Sequence, residues 1–263
     1  MAAQTIPLEI LIPVYREGAP FVKILDLLGA RVKTPFRALI CYDDDNDETI
    51  TAIKYYRAPF EIVTVKNDGK GVHGAIMSGF KASRASAVIV YPADDDANAG
   101  IIDRLYEKFK EGCDIVAPSR FMKGGCMVGC RWTKAYLVRA AAFVLYYLAG
   151  LPTHDPTNGF RLFSRRVIDQ VAVQSDSGFA YSIELLVKCH RLGWKISEVP
   201  SQWFERKQGK SRFKIFKWMP VYLRWFTFAF VTRLRTAFWA TWFLAVLVLY
   251  LVWVIGPKLA GKI

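Results

Sequence analysis

A short apolar run that ends in three consecutive carboxylates constrains this chain more than any other feature. Residues 88–91 are β-branched or aromatic and carry no charge, which is typical of a buried strand. Asp94, Asp95 and Asp96 follow, at the strand end where open α/β sheets bind their ligands. Adjacent carboxylates repel one another without a cation, and hard oxygen ligands suit Mg²⁺ or Mn²⁺. The triplet therefore indicates a site for a metal and a diphosphate, although a solvated acidic turn is the alternative for such a triplet alone.

The order of the other segments predicts an α/β fold with a mostly parallel sheet. Strands are expected over 8–14, 36–42, 60–65, 88–91, 114–117 and 196–199. Helices are expected over 20–28, 49–56, 75–81, 101–110, 132–148 and 181–191. Such alternation is typical of parallel strands joined by crossover helices on both faces of the sheet. The 132–148 helix is apolar on most of its faces, which is typical of a core helix.

Two further loops at predicted strand ends carry residues suited to a nucleotide. The 43–49 loop is rich in carboxylates, and Gly69, Gly71 and Gly74 open the helix that follows the third strand. Glycines let the backbone approach a ligand, and a helix N-terminus favours anions. This glycine spacing is weak evidence for a dinucleotide site, because it follows the third strand rather than the first. His73 within it is expected to be a loop or capping residue rather than a ligand.

The chain has 263 residues and a formal net charge of +13, and the positive charge is concentrated near the C-terminus. No acidic residue follows Glu205, whereas nine lysines and arginines lie within 206–235. Such a block indicates an anionic partner, which is a lipid headgroup, a phosphate or a nucleic acid. Because the basic residues adjoin an apolar segment while the predicted strand ends are acidic, we expect a membrane and no nucleic acid.

The five cysteines are scattered and odd in number, which favours reduced thiols in a cytosolic compartment. Cys126 and Cys130 have the spacing of a possible metal pair, but the sequence contains no second pair. Residues 1–7 lack the charged start and apolar run of a signal peptide, so none is expected.

An uncharged apolar run near the C-terminus predicts one transmembrane helix over 237–256, followed by a short tail over 257–263. Its length matches the roughly 20 residues that cross a bilayer, and tryptophans lie near both ends as interfacial residues do. A buried core helix is the alternative. Residues 212–236 predict an amphipathic juxtamembrane helix that lies in the interface. Positive residues before the span outnumber those after it, which places the large 1–211 domain in the cytoplasm.

Seven short motifs, in their order and spacing, resemble the family 2 glycosyltransferases of the GT-A fold. The likeness is strongest to the dolichol-phosphate mannose synthases and related bacterial polyprenyl-phosphate glycosyltransferases. The motifs lie at 12–17, 43–49, 69–74, 93–96, 119–120, 155–161 and 205–211. The resemblance implies a GT-A domain over 1–211, a Rossmann-like α/β fold with helices on both faces of its sheet.

The resemblance implies a donor site at the carboxyl ends of the first four strands. The nucleotide-binding residues would be Pro13, Tyr15, Glu17, Asp43, Asp44 and Lys70. Asp94 and Asp96 would hold Mg²⁺ or Mn²⁺ on the donor diphosphate. The chain departs from the family pattern at Arg16, at Asn46-Asp47 and at Pro92-Ala93, and these departures concern the donor base and sugar.

The resemblance also implies an acceptor site. Arg120 and Lys134 would meet the acceptor phosphate. Arg206, Lys210 and Ser211 would close over the phosphates. The predicted catalytic residues are Asp94, Asp96, Arg120 and Asp155, and for Asp155 two possibilities are open. It orients the acceptor or contacts the sugar, or it has a purely structural role in its loop.

The implied function is inverting, metal-dependent transfer of a hexose from a nucleotide diphosphosugar to a dolichyl or undecaprenyl phosphate at the cytoplasmic membrane face. Mannose from GDP-mannose is favoured, with glucose or another hexose from a UDP donor as the alternative, and a homo-oligomer is compatible with the sequence. One competing class is a processive family 2 polysaccharide synthase. It would need several spans and a Gln-x-x-Arg-Trp motif, of which only residues 222–225 retain a part. The other is a non-catalytic, membrane-tethered nucleotide-binding module.

Overall fold

The computed structural model of the chain describes residues 6–69, 71–205 and 220–231, and only the backbone of Lys134. The strands of this part are β1 Leu8–Pro13, β2 Phe36–Tyr42, β3 Glu61–Lys66, β4 Ala87–Val90, β5 Ile115–Ser119, β6 Cys126–Val128, β7 Arg161–Ser164, β8 Ile196–Pro200 and β9 Gln202–Phe204. The helices are α1 Phe21–Arg31, α2 Glu48–Ile53, α3 Gly71–Ala82, α4 Ile102–Lys110, α5 Trp132–Phe143, α6 Arg165–Gln170, α7 Ala180–Arg191 and α8 over 220–231. A π-helical turn, Val144–Leu148, extends α5.

The main sheet confirms the predicted, mostly parallel α/β architecture. Its strand order is β3-β2-β1-β4-β7-β5-β8, and only β7 among these described strands runs antiparallel to its neighbours. Val90, at the end of β4, pairs with Arg161, at the start of β7. The carboxyl ends of the parallel strands and the segment that leads into β7 therefore lie along the same edge of the sheet. Strands β6 and β9 form a separate two-stranded parallel sheet.

Two apolar clusters cover the two faces of the main sheet. Residues alternate along β1, so that Ile10 and Ile12 pack in the cluster with α1 and α4, while Leu11 packs in the cluster with α3 and α7. The approach of α3 is close, because a Cβ on Gly79 would collide with the side chains of Leu11 and Cys41. Burial on both faces explains why these strands read as continuous apolar runs in the sequence.

Four short elements differ from the sequence prediction. Strands β6, β7 and β9 and helix α6 contain three to six residues each, and no strand or helix was predicted for them. A four-residue strand such as β7 shows no usable periodicity, and its first residue, Arg161, is the last residue of the turn-rich 155–161 motif. Helix α3 also begins at Gly71, four residues earlier than expected, and so includes His73.

The expectation that the 132–148 helix lies in the core was wrong for much of its surface. Trp132 and Tyr136 are 81% and 70% exposed, and Leu137, Phe143, Tyr147 and Leu148 are also exposed. Only part of the helix packs inward, chiefly through Leu145. The segment therefore presents an apolar and aromatic surface outward.

The predicted membrane segments are described only in part. Of the 212–236 juxtamembrane segment the structure describes α8, and Trp225 of α8 is buried against the domain rather than directed outward. The predicted span over 237–256 and the tail over 257–263 lie outside the described residues. Among the residues that are described, no helix is both long and apolar enough to cross a bilayer.

Candidate active site

The edge of the sheet defined above collects most of the predicted site residues that the structure describes. The loops after β1, β2, β3 and β4 stand side by side there, because those four strands are neighbours and parallel. Arg120 follows β5 at this edge, and the loop with Asp155 leads into β7 at the same edge. This is the position at which open α/β sheets bind ligands.

Two buried side chains fix the 15–18 loop, which carries the predicted base-binding residues Tyr15 and Glu17. Asp47 caps α2 through the amide of Thr49 (2.8 Å) and also accepts a hydrogen bond from the amide of Arg16 (2.8 Å). The hydroxyl of Thr49 accepts hydrogen bonds from the amides of Glu17 (2.9 Å) and Gly18 (3.2 Å). Burial alone would raise the pKa of Asp47, but the hydrogen bonds from Thr49 and Arg16 hold it below its ordinary value.

Sequence reasoning gave no role to Asp47 or Thr49, although a signal was present. Asp is one of the residues preferred at a helix N-cap, and Asp47 stands just before the predicted 49–56 helix. What the pattern does not reveal is that both side chains also hold a distant loop, because that contact exists only once β1 and β2 are paired.

The predicted nucleotide-binding residues at the end of β1 and in the loop after it are partly exposed to solvent. Pro13 ends β1 and is half-buried, Tyr15 is 46% exposed, and Glu17 is half-buried. Arg16 has a φ of 54°, and its guanidinium lies 5.5 Å from the centre of the Tyr15 ring. A positive φ is uncommon outside glycine, and the hydrogen bond to Asp47 stabilises this conformation.

Asp43 organises the glycine-containing loop that follows β3. Its carboxylate accepts hydrogen bonds from the side-chain amide of Asn67 (2.6 Å) and the backbone amide of Gly71 (3.2 Å). Asp44 is exposed and accepts a hydrogen bond from the amide of Asn46 (3.0 Å). Lys70 lies outside the described residues. Asp43 thus joins two loops, whereas Asp44 bonds within its own loop.

The three aspartates after β4 do not share one orientation. Asp94 and Asp96 are exposed, whereas Asp95 turns inward and accepts hydrogen bonds from the amides of Ala97 and Asn98 (3.0 Å each). Burial raises the pKa of Asp95 to about 6, although the hydrogen bonds from Asn98 oppose this rise. The inward aspartate builds the turn, and the outer two remain accessible.

The outer pair fits a cation that is shared with a substrate. Within residues 6–69, 71–205 and 220–231, no group of three or more His, Cys, Asp or Glu side chains is placed to hold a metal ion, Cys126 and Cys130 included. None of the five cysteines, all of which lie in the described part of the chain, forms a disulfide bond. Asp94 and Asp96 offer hard oxygen ligands, and Mg²⁺ commonly takes one or two carboxylates together with substrate phosphates.

Asn98 connects the aspartate turn to the strand that precedes the basic loop. Its side chain donates to the carboxylate of Asp95 (2.8 Å) and to the carbonyl of Gln202 (2.7 Å), and it accepts from the amide of Gln202 (2.8 Å). Asn98 is buried. Position 202 begins β9, which leads toward Arg206, Lys210 and Ser211, and these three lie outside the described residues.

Arg120 and Asp155 form a buried, bidentate pair. Nε and Nη2 of Arg120 donate to the two carboxylate oxygens of Asp155 at 2.6 and 2.8 Å, and the amide of Arg120 adds a third bond at 3.1 Å. The Asp155 side chain is fully buried, and that of Arg120 is 14% exposed. Burial alone would lower the pKa of Arg120, but the charge of Asp155 raises it. Because the Asp155 carboxylate is fully buried against Arg120, the geometry supports the structural role for Asp155, in which it fixes its loop and the orientation of Arg120.

Further cations and aromatic rings lie around this pair. The guanidinium of Arg120 lies 5.2 Å from the centre of the Phe121 ring. The guanidinium of Arg139, from α5, lies 5.8 Å from the same centre. Arg161 is fully buried and donates to the carbonyls of Ser182 (2.7 Å), Asp155 and Pro156 (3.3 Å each). Burial lowers the pKa of Arg161 to about 10. The backbone of Lys134 lies in α5, on the same helix as Arg139.

The arrangement can bring two anionic substrates together. Exposed carboxylates able to share a cation lie at the end of β4, and a fixed guanidinium lies at the end of β5, with only β7 between those strands. A cation–diphosphate complex and a phosphate can therefore occupy neighbouring positions along one edge. This is the layout of a GT-A type transferase domain, the class that the fold and the site together define.

The chain belongs to glycosyl transferase family 2, whose family model matches residues 9–172. Dolichol-phosphate mannosyltransferase of Pyrococcus furiosus is 24% identical over 212 residues, which are 78% of this chain and 59% of that protein. Polyprenol monophosphomannose synthase of Mycolicibacterium smegmatis is 27% identical over 147 residues, which are 54% of this chain and 56% of that protein. The chain thus spans less than two thirds of the length of these relatives.

Solved structures of glucosyl-3-phosphoglycerate synthase from Mycobacterium tuberculosis share the fold. The complex with Mn²⁺, UDP-glucose and phosphoglyceric acid matches with a TM-score of 0.58 at 16% identity, over 86% of this chain and 79% of that one. The complex with Mn²⁺, UDP and glucosyl-3-phosphoglycerate matches with a TM-score of 0.57 at 17% identity, over 77% and 73%. At this identity the likeness concerns the fold alone.

Proposed function

We propose that this protein transfers a single hexose from a nucleotide diphosphosugar to a polyprenyl phosphate at a membrane surface. One observation carries the proposal: the exposed carboxylates of Asp94 and Asp96 and the guanidinium of Arg120, which Asp155 holds in place, lie along the same edge of the sheet. The names of the two relatives, a dolichol-phosphate mannosyltransferase and a polyprenol monophosphomannose synthase, support this acceptor class.

On the donor side, the 15–18 and 43–47 loops bind the nucleoside, and Asp94 and Asp96 hold Mg²⁺ or Mn²⁺. A bound divalent cation supplies Lewis-acid assistance by neutralising negative charge on the leaving diphosphate. Asp47 and Thr49 keep the nucleoside loop in one conformation, so that less ordering is needed when the donor binds. The Mn²⁺ and UDP-glucose of the structural neighbour support a cation and a nucleotide sugar.

On the acceptor side, Arg120 binds the phosphate, with Lys134 and the basic 206–211 loop as further cations. A phosphate monoester has a second pKa of about 6, so its attacking oxygen is already anionic near neutral pH. A strong general base is therefore unnecessary, and Asp155 serves by orienting Arg120. The oxygen attacks the anomeric carbon in line with the departing diphosphate, which inverts the configuration at that carbon. The demand on the protein is positioning and charge neutralisation.

The apolar outer surface of α5 supports a location at the membrane. Trp132 and Tyr136 are exposed on the helix that also carries Arg139, next to the proposed phosphate site. Exposed aromatic residues beside cations are typical of surfaces that rest on anionic lipid. In this proposal the catalytic domain lies in the cytoplasm, and the segment over 237–256 is a single C-terminal span.

The proposed sugar is mannose, because both named relatives are mannose enzymes, with glucose or another hexose as the alternative. The test gives the purified full chain Mn²⁺, dolichyl or undecaprenyl phosphate and, in turn, GDP-mannose, UDP-glucose and other UDP-hexoses, each labelled in the sugar. We expect label in the organic-extractable lipid from one donor, and we expect EDTA to abolish it.

A matched pair of variants tests the site in the same assay. Asp94→Asn should reduce transfer at least about 100-fold, because it removes a ligand of the cation that stabilises the leaving group. Asp169→Asn, which changes an exposed aspartate on α6 that pairs with Arg165, should transfer at the normal rate. Full metal-dependent activity in Asp94→Asn would contradict the assignment of the site. Absence of lipid label from every donor would favour a tethered nucleotide-binding module.

A further inference from the structure

A second carboxylate, Glu198 of β8, holds the segment that leads to Asp155. One oxygen of Glu198 accepts hydrogen bonds from the hydroxyl of Thr153 (3.1 Å) and the amide of His154 (2.8 Å). Its other oxygen lies 2.5 Å from Nδ1 of His154. Glu198 is 15% exposed, and Thr153 is fully buried. A single side chain thus bonds three polar groups in two consecutive residues.

Hydrogen bonds link this carboxylate to Arg120 through Thr153 and through the amide and carboxylate of Asp155. The hydroxyl of Thr153 donates to Glu198 and accepts from the amide of Asp155 (3.1 Å). The carboxylate of Asp155 then receives Nε and Nη2 of Arg120. Because Thr153 and Asp155 are fully buried, a break at Glu198 leaves polar groups without water to replace the lost partner.

His154 extends the same network to the helix with the exposed aromatic residues. Its ring stacks on the ring of Tyr146, with 3.9 Å between centres, and Tyr146 belongs to the π-helical turn after α5. Glu198 therefore fixes a histidine that contacts this turn on one side and precedes Asp155 on the other. The outer apolar surface and the Arg120 guanidinium are joined through one set of contacts.

We propose that Glu198 is a positioning residue for Arg120, acting through Thr153, His154 and Asp155. This inference rests on the proposed function in one respect, since it takes Arg120 as the group that binds the acceptor phosphate. Bidentate recognition of a phosphate depends on the orientation of the guanidinium plane. Loosening the 153–155 segment should therefore weaken acceptor binding while the donor loops, held by Asp47 and Thr49, keep their geometry.

The kinetic test compares Glu198→Leu and Glu198→Gln with the matched variants Glu61→Leu and Glu61→Gln in the full chain. Glu61 is an exposed strand glutamate of β3 whose carboxylate lies 4.0 Å from Arg37. In Glu198→Leu we expect the KM for polyprenyl phosphate to rise about tenfold, the effect of one lost charge-assisted hydrogen bond, with the donor KM unchanged. Glu198→Gln keeps an acceptor for Thr153 and should fall between Glu198→Leu and the wild type.

A merely structural role for Glu198 would show a different pattern. It would lower the amount of active enzyme, and hence the apparent kcat, while both KM values stayed normal. That pattern, or kinetics for Glu198→Leu equal to those of the Glu61 variants, would overturn the inference. If Glu198→Leu does not fold, the size-matched Glu198→Gln decides by the same criterion.

A second measurement, without substrates, separates this inference from the proposed function. Exchange of the Arg120 Nε–H with solvent can be followed by NMR in detergent micelles, with the signal assigned through Arg120→Lys. We expect slow exchange in the wild type and exchange about tenfold faster in Glu198→Leu, because protection follows local opening. If the wild type transfers no sugar but exchange responds in this way, the proposed function fails and the positioning role stands. Unchanged exchange would overturn the positioning role.

Discussion

Single polar side chains, rather than apolar ones, set the geometry of the candidate site. Asp47, Thr49, Asn98 and Asp155 are buried, and each bonds a segment that belongs to another strand or loop. A buried polar group costs stability when its partner is missing. A conformation in which the bonded loop moves away therefore has a higher free energy, because a buried polar group loses its partner.

Thr49 offers the sharpest test at this scale. Thr49→Val keeps the shape of the side chain but removes the acceptor for the amides of Glu17 and Gly18, so we expect a loss of about 2 kcal/mol in the free energy of unfolding. Binding of GDP or UDP, measured by calorimetry, should weaken as well, because the 15–18 loop is released. Thr49→Ser retains the hydroxyl and should keep both properties. Equal nucleotide affinity in Thr49→Val and the wild type would contradict this account.

The buried His73 should make the free energy of unfolding depend on pH. Burial lowers the pKa of His73, which the carboxylates of Asp176 and Glu184 and a hydrogen bond to the backbone of Gly178 only partly offset. Between this lowered pKa and the ordinary value of about 6.5, the unfolded chain binds more protons than the folded one, so stability rises with pH through that window. Urea midpoints at pH 5 and 7.5 should differ less in His73→Gln than in the wild type. An identical difference in both proteins would exclude His73 as a source of the slope.

At the scale of elements, Trp225 anchors α8 to the catalytic domain, together with neighbours such as Phe226 and Ala229 that pack in the same apolar cluster. Trp225 is 2% exposed, its Nε1 donates to the hydroxyl of Ser175 (2.8 Å), and Lys188 and Arg224 lie 4.9 and 5.1 Å from the centre of its ring. Ser175 is itself held by Glu184 of α7 through a 2.7 Å hydrogen bond from its amide. The position of α8 is thus determined by α7 and the loop before it.

Trp225→Ala should release α8 and cost about 3–5 kcal/mol, the usual range for removing a buried tryptophan. Ser175→Ala should cost about 1–3 kcal/mol, because it leaves the indole N–H without its partner. Limited proteolysis at residues 206–231 should become faster in both variants, and most in Trp225→Ala. Trp132→Phe, at an exposed tryptophan, is the control and should be cleaved at the normal rate. Normal cleavage of Trp225→Ala would contradict this role of Trp225.

The elements that could be predicted from the sequence are those with a local pattern. Strands β1, β2 and β4 are apolar runs bounded by turns, and their order, together with the carboxylates that follow them, indicated the edge that carries the site. The elements that could not be predicted depend on distant partners. Strand β7 is recognisable only between β4 and β5, and β6 and β9 exist only because they pair with each other.

In the candidate site too, features with a local sequence pattern could be predicted, and features that depend on distant partners could not. Asp94, Asp96 and Arg120 follow the ends of strands and could be named from motifs. Contacts between distant segments could not, so the functions of Asn98 and Glu198, which bond partners 104 and 44 residues away, are visible only in the folded chain. The predicted burial of α5 was wrong for a related reason. A sequence pattern alone does not distinguish an apolar face that packs in the core from one that is exposed.

For the whole molecule, the proposed membrane contact depends on the exposed aromatic residues of α5. Trp132→Ser combined with Tyr136→Ser should raise the apparent KM for polyprenyl phosphate in bilayers about tenfold, because apolar area no longer enters the interface. The KM for a short-chain, water-soluble acceptor should not change. Tyr55→Ser removes an aromatic residue that is 81% exposed on another part of the surface and serves as the control. Equal effects of the two sets of changes would argue against α5 as the lipid contact.

In the proposed reaction, one hexose is joined to one polyprenyl phosphate. The most direct measurement is mass spectrometry of the lipid fraction after the full chain has exhausted the accepted donor in the presence of excess acceptor. We expect a single new species, heavier than the acceptor by one hexose and formed only from the phosphorylated lipid. A ladder of products with increasing numbers of hexoses would instead indicate a processive synthase, and modification of the unphosphorylated polyprenol would contradict the role of Arg120.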